Sequence, residues 1–210
     1  MYKAKSTIER LFTMFPLEMK NDVDKVISIL PLTIEPKNVS GTVIGFLSSD
    51  YKEIMCKGEW LKLHNRIYFD EPEIVSENRL SKKQQTILNC IYTLHFDGYI
   101  RQKRLEKLFQ SDDYFVVPFI ISLSGEYVFE VLKVITLNLT QNRVKLFSGF
   151  IKENPHFWEL TKAKIRSYWN EYYKSDFPCY EDYIGNDFIK QIENNRCKTL
   201  NSSKHLCDGA

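Results

Sequence analysis

Apolar residues first recur at helical spacing close to the N-terminus, at Ile8, Leu11, Phe12 and Phe15. Ser6-Thr7-Ile8-Glu9 has the form of a capping box, so the pattern predicts a helix opening at Ser6 and stopping before Pro16. A second short stripe, Val23, Val26, Ile27 and Leu30, predicts a helix between Asp22 and Leu30, and Pro31 and Pro36 bracket a break after it. The texture then changes. Gly41 to Ser48, Lys52 to Cys56, Glu59 to Leu63 and Arg66 to Phe69 are short β-like runs, the later ones separated by Lys57-Gly58 and His64-Asn65. They predict a small antiparallel meander. Asp70 to Asn78 is acidic and polar, contains Pro72, and reads as a connection.

From Leu80 onward the period is helical. Ile87, Cys90, Ile91 and Leu94 form one stripe, broken at His95-Phe96-Asp97-Gly98. Ile100 to Phe109 predicts the next helix and Ser111-Asp112-Asp113 a loop. Val116 to Leu139 is apolar and helical with an interruption at Ser124-Gly125, and Asn142 to Lys152 follows. Asn154-Pro155 opens a helix that runs to about Lys174, because Asn suits the N-cap and Pro the first turn. Pro178 sets off a last segment, Glu181 to Ile192, and the polar residues beyond it predict a disordered tail. The fold class is therefore α+β. Residues 1–75 form an N-terminal part with helices and a small sheet, 76–193 a helical part, and 194–210 a tail.

One stretch resembles a known family. Asp97-Gly98-Tyr99-Ile100-Arg101, followed by Leu105 and Leu108, resembles the first helix of a HEAT repeat, and Val117-Pro118-Phe119-Ile120-Ile121 resembles the start of its second helix. The resemblance covers Asp97 to Ile135 and extends more weakly to Trp169. Leu132 stands where a second unit would carry its Arg, and Ile165-Arg166 suits a third. It implies a stacked array of helical hairpins working as a curved binding surface. The style of the repeat implies an immunity or adaptor protein of a bacterium.

Independently of the family, Arg101 lies between Leu105 and Leu108 on the apolar side of its helix, where a cation needs a partner. Asp97, four residues earlier at the N-cap, is the candidate.

Composition adds limits. The chain has 210 residues, 43% hydrophobic and 14% aromatic, enough for a real core. Its formal net charge of +2 argues against bulk capture of nucleic acid or anionic membrane. The longest apolar run, Phe115 to Leu123, is interrupted by Pro118 and too short to span a bilayer. Five cysteines without redox or zinc spacing, and no signal-like leader, predict free thiols in the cytoplasm.

Candidate chemistry is sparse. Cys90 and His95 are close in sequence, but Cys90 falls on an apolar stripe, where thiols are inert. Cys179, Cys197, His205 and Cys207 lack the paired spacing of a zinc site. Glu126 and Glu130, read as i and i+4 on one helix, lack the accompanying His of a di-metal site. The glycines are scattered and make no phosphate loop. No catalytic residue, metal or cofactor is predicted.

The expected function is a non-catalytic protein–protein interaction module, its partner another protein. The expected contact residues are Tyr99, Gln102, Lys103 and Glu106 on one helix and Tyr172 or Tyr173 at the far end. The alternative is nucleic-acid binding through the basic stretch from Lys82 to Lys107, or through the aromatics interleaved with Lys162, Lys164 and Arg166.

Overall fold

The computed structural model describes residues 2–32, 46–47 and 49–204, with side chains for 7–32 and 49–194. The fold is α+β, with strands in the N-terminal half and helices after them. It divides into two compact units, Met1–Phe119 and Ile120–Ala210.

In the first unit, α1 (Tyr2–Phe12) and α2 (Lys20–Ile27) flank a 3-10 turn at Leu17–Met19. Because α1 already begins at Tyr2, Ser6-Thr7-Ile8-Glu9 lies inside the helix and is not its start. Tyr2 to Lys5 contain no breaker, and Ala and Lys favour helix, so the chain winds up before the box is reached.

Four strands follow: β1 (Phe46–Leu47), β2 (Tyr51–Cys56), β3 (Glu59–His64) and β4 (Ile67–Tyr68). The rest of the β-like run from Gly41 lies outside the described residues. Pairing is antiparallel but nested, β2 with β3 and β1 with β4, in place of a sequential meander. The inner hairpin closes on Lys57 (φ 51°) and Gly58 (φ 84°). Two consecutive left-handed residues make the tight turn whose twist suits flanking strands. The Lys62 amide donates to the Thr13 carbonyl at 2.8 Å, tying β3 to the end of α1.

After the short α3 (Ile74–Glu77) come α4 (Lys82–Tyr92) and α5 (Gly98–Leu108). Ser81 and Gln84 form a complete capping box at the start of α4. From Ile87 to Tyr92 every residue of α4 is buried, more than the expected stripe, because the helix packs against both α2 and α5. The Ile67 amide donates to the Leu94 carbonyl and the Phe96 amide to the Ile67 carbonyl, joining β4 to the end of α4. Helical residues 82–108 thus share a compact unit with the strands, and the division falls at Phe119, not after residue 75.

The second unit contains most of α6 (Val117–Ser124), then α7 (Phe129–Leu137), α8 (Gln141–Glu153), α9 (Pro155–Tyr168) and α10 (Ile184–Lys204). The interruption expected at Ser124-Gly125 separates α6 from α7. A π-helical turn, Trp169–Tyr173, extends α9. α10 packs against α7, α8 and α9, with Phe188 and Ile192 fully buried. That packing carries the helix past Asn194, into the segment read as tail, as far as Lys204. Residues 205–210, with His205 and Cys207, lie outside the described residues.

Candidate functional site

The basic stretch on α5 is the most heavily bonded part of the first unit. Leu105 and Leu108 face inward as expected, and Arg101 and Arg104 share their buried side. The Arg104 guanidinium is 1% exposed. Its Nε donates to Glu71 at 2.7 Å, Nη1 to Glu77 at 2.8 Å and to Asn89 at 3.0 Å, and Nη2 to Glu77 at 2.9 Å. Its Cζ lies 5.2 Å from the centre of the Tyr92 ring, a cation–π arrangement. Lys103 reaches Glu71 at 3.3 Å and Lys107 reaches Glu77 at 3.1 Å. On α4, Lys83 pairs with Asp22 at 3.2 Å.

Burial raises the carboxyls of Glu71 and Glu77, but hydrogen bonds from and the charge of Arg104 outweigh it, so both titrate below the ordinary range. The acidic connection is therefore latched to α5 by one guanidinium. Sequence reading treated it as a linker and missed Arg104. The signal was present: Arg104 lies three residues after Arg101, on the same helical face.

Arg101 is 3% exposed. Its Nη1 donates to the carbonyls of His95 at 2.8 Å and Phe96 at 2.9 Å, the last turns before its own helix. The Asp97 carboxylate accepts from the Tyr99 amide at 2.8 Å and caps α5. His95 Nδ1 accepts from the Asp97 amide at 3.0 Å, and burial holds its imidazole below the ordinary value.

Tyr99 is 85% exposed. Gln102 donates to Glu106 at 3.1 Å on the outer face of α5, and Lys103 and Glu106 are exposed. Among the other exposed apolar side chains of this unit are Ile74 and Val75 on α3 and Phe96 beside the α5 cap. Phe96 stacks on Tyr68, centroids 5.9 Å apart. Since Tyr68 meets Phe96, Glu71 meets Lys103 and Arg104, and Glu77 meets Lys107, the segment from β4 to α3 runs along α5 from its cap towards its C-terminal end. A separate open groove of about 420 Å³ lies between α1 and β3, lined by Phe12, Phe15, Pro16, Leu17, Trp60 and Leu61 among others.

Tyr172 and Tyr173 belong to the second unit, on the π turn. They do opposite things. The Tyr173 ring stacks on buried Tyr183 at 5.8 Å. Its hydroxyl donates to the Tyr127 carbonyl and accepts from the Phe129 amide at 3.2 Å, fixing the loop before α7 to the turn. Tyr172 faces out. Tyr127, Tyr168 and Tyr172 form a triangle whose ring centroids are 6.1 to 6.2 Å apart. The sequence pattern places Tyr168 only among the aromatics of the nucleic-acid alternative and does not mark Tyr127 as a contact residue, because the loop that brings it in is non-local.

Cys90 is fully buried and burial pushes its thiol well up. Glu126 precedes α7 and so does not share a helix with Glu130, contrary to the i, i+4 reading; Gly125 to Val128 break the chain between α6 and α7. Among the described residues no group of three His, Cys, Asp or Glu side chains is placed to hold a metal ion, and no helix is long and apolar enough to cross a membrane. No protein-family model matches the chain, and neither a curated protein nor a solved structure shows significant similarity to it.

Proposed function

We propose that the chain is a non-catalytic protein–protein interaction module, of the adaptor or immunity class, that presents the α3–α5 face of its first unit to another protein. One observation carries this reading. Ile74 and Val75 are 75% and 62% exposed although the segment bearing them is clamped on both sides, at Glu71 and Glu77, to a buried arginine. Apolar side chains held out on a fixed backbone lose little conformational entropy on docking, which is how binding surfaces gain affinity. Tyr99 and Phe96 at the head of α5 add aromatic area, the residue class that anchors interfaces.

The HEAT-like resemblance supports the same reading. That resemblance takes α5 as first helix and the start of α6 as second, and stacked hairpins serve mainly as recognition surfaces. The helix packed most extensively on α5 is α4. Charge distribution favours a protein over nucleic acid. Lys83, Lys103, Arg104 and Lys107 all meet carboxylates, so the basic stretch offers little to phosphates.

The test is differential capture with the full chain as bait, compared with a Val75→Asp/Tyr99→Asp variant and a Leu137→Asp control. The expected result is a partner retained by wild type and control and lost by the double variant. Identical recovery by all three baits overturns the assignment of this face. A gel shift that weakens steeply with salt would favour nucleic acid instead.

A further inference from the structure

The tyrosine triangle of the second unit combines clustered rings with open faces. Elsewhere in the chain, rings are covered by its own cations: Lys62 over Tyr51 at 4.7 Å, Arg166 over Tyr180 at 4.9 Å, Lys174 over Trp169 at 5.6 Å. Among the described residues no cation lies over Tyr127, Tyr168 or Tyr172. Tyr127 is 55% and Tyr172 57% exposed, so their faces are open.

The surroundings are acidic. Exposed Glu171 precedes Tyr172 in the turn. Glu130 and Asp176 are close enough to act electrostatically on the Tyr173 hydroxyl that anchors the triangle. Against these stand Lys164, whose stem approaches Gly125, and Lys174, whose ammonium lies over the Trp169 ring. The rings are also preorganised. Tyr168 and Tyr172 are one turn apart on a continuous helical segment, and the Tyr173 hydroxyl holds the Tyr127 loop against them. Tyrosine faces carry negative quadrupole charge, and neighbouring carboxylates reinforce it.

We propose that the Tyr127–Tyr168–Tyr172 triangle is a docking site for a basic segment of a protein partner, with an arginine or lysine side chain lying on the open ring faces. Nucleic acid could stack on the same rings, but the carboxylates repel its phosphates. The triangle and the α3–α5 face share no residue and belong to different compact units, so this proposal holds or fails independently of that reading.

The experiment titrates the full chain into a fluorescein-labelled peptide of alternating Gly and Arg, followed by fluorescence polarisation. An alternating Gly and Glu peptide and a single-stranded RNA serve as comparisons. Tyr172→Leu keeps apolar area and removes the ring, whereas Tyr172→Phe keeps the face. The expected result is saturable binding of the Arg peptide, weakened about two- to thirtyfold by Tyr172→Leu and by less than about twofold in Tyr172→Phe. Val75→Asp leaves peptide binding intact, so failure here is distinct from failure of the α3–α5 face. The proposal is overturned if the Arg peptide does not saturate, if Tyr172→Leu binds like wild type, or if the Glu peptide or the RNA binds as tightly as the Arg peptide.

Discussion

Replacing Arg104 with Met tests the strongest energetic claim about the first unit. Met retains an unbranched stem of similar reach, so the packing against Tyr92 changes less than the charge. What is lost is a guanidinium 1% exposed, with four hydrogen bonds to Glu71, Glu77 and Asn89. Glu77 then keeps Lys107 and Glu71 keeps Lys103, both from more exposed lysines. Summing four charge-assisted bonds would overshoot, because the same bonds offset the cost of taking the arginine out of water. Breaking one side of a buried ion pair costs about 3–5 kcal/mol, and the remaining lysines place this case near the lower end, about 3 kcal/mol. With a urea slope of about 2 kcal/mol/M, the midpoint falls by about 1.5 M. The assay is urea unfolding followed by circular dichroism, with hydrogen exchange on the α3–α5 peptides to assign the loss to the first unit. A midpoint shift under about 0.5 M, with exchange unchanged, would mean that the cluster behaves like surface ion pairs and would refute the latch. Arg104→Lys should fall between, since an ammonium cannot reproduce the two-pronged grip on Glu77.

Acid should loosen the same latch. Glu71 and Glu77 titrate below their unfolded values of about 4.3, so their contribution is fully present above that pH and is lost as pH falls through the lower folded values. Urea midpoints measured from neutral pH downward should fall more steeply in wild type than in Arg104→Met; parallel curves would contradict it. Gly185→Ala should destabilise by about 1–3 kcal/mol, because an added Cβ would sit 2.5 Å from Ile165 Cγ2 and 2.6 Å from Tyr183 Cε1, both in fully packed side chains. An unchanged melting temperature would show that α10 can shift away from α9. Arg101→Ala should cost about 1–3 kcal/mol through two unsatisfied carbonyls, and Asp97→Ala about 1 kcal/mol through the lost cap, by urea unfolding. A double-mutant cycle should give near-additive losses, whereas strong coupling would support a direct Asp97–Arg101 pair.

Local rules predicted local features well. Pro16 bounded the C-terminal end of α1, Asp97 placed the start of α5, and Lys57-Gly58 placed the hairpin turn, because caps and left-handed turns are decided within a few residues. Where the outcome depended on distant residues, the pattern was insufficient. The nested pairing of β1 with β4 is such a case, as is the burial of α4 on nearly all sides by α2 and α5. The compact unit ends at Phe119 and not at residue 75 for the same reason: polarity marked a connection at Asp70 to Asn78, but ion pairs made that connection part of the core. For the site residues, exposure of Tyr99 followed from helical phase. The division of labour between Tyr172 and Tyr173 did not, because it depends on Tyr127 and Tyr183.

The fate of the basic stretch joins these points. Read along the chain, Lys82 to Lys107 is the densest cationic run and suggests a phosphate-binding face. Folded, its arginines turn inward, one to carbonyls and one to carboxylates, and Lys83, Lys103 and Lys107 meet acids from elsewhere in the same unit. Lys103, Arg104 and Lys107 hold the acidic connection against α5. That anchoring leaves Ile74, Val75, Phe96 and Tyr99 exposed on a fixed frame, so the surface on offer is apolar and aromatic. In the second unit the relation reverses: aromatic rings are held open beside carboxylates, and among the described residues no cation covers them, which is what the proposed basic segment would supply. Two surfaces of opposite preference on two compact units are what an adaptor needs to engage two different partners. Separate disruption by Val75→Asp and Tyr172→Leu is the observation that would distinguish this from a single continuous interface.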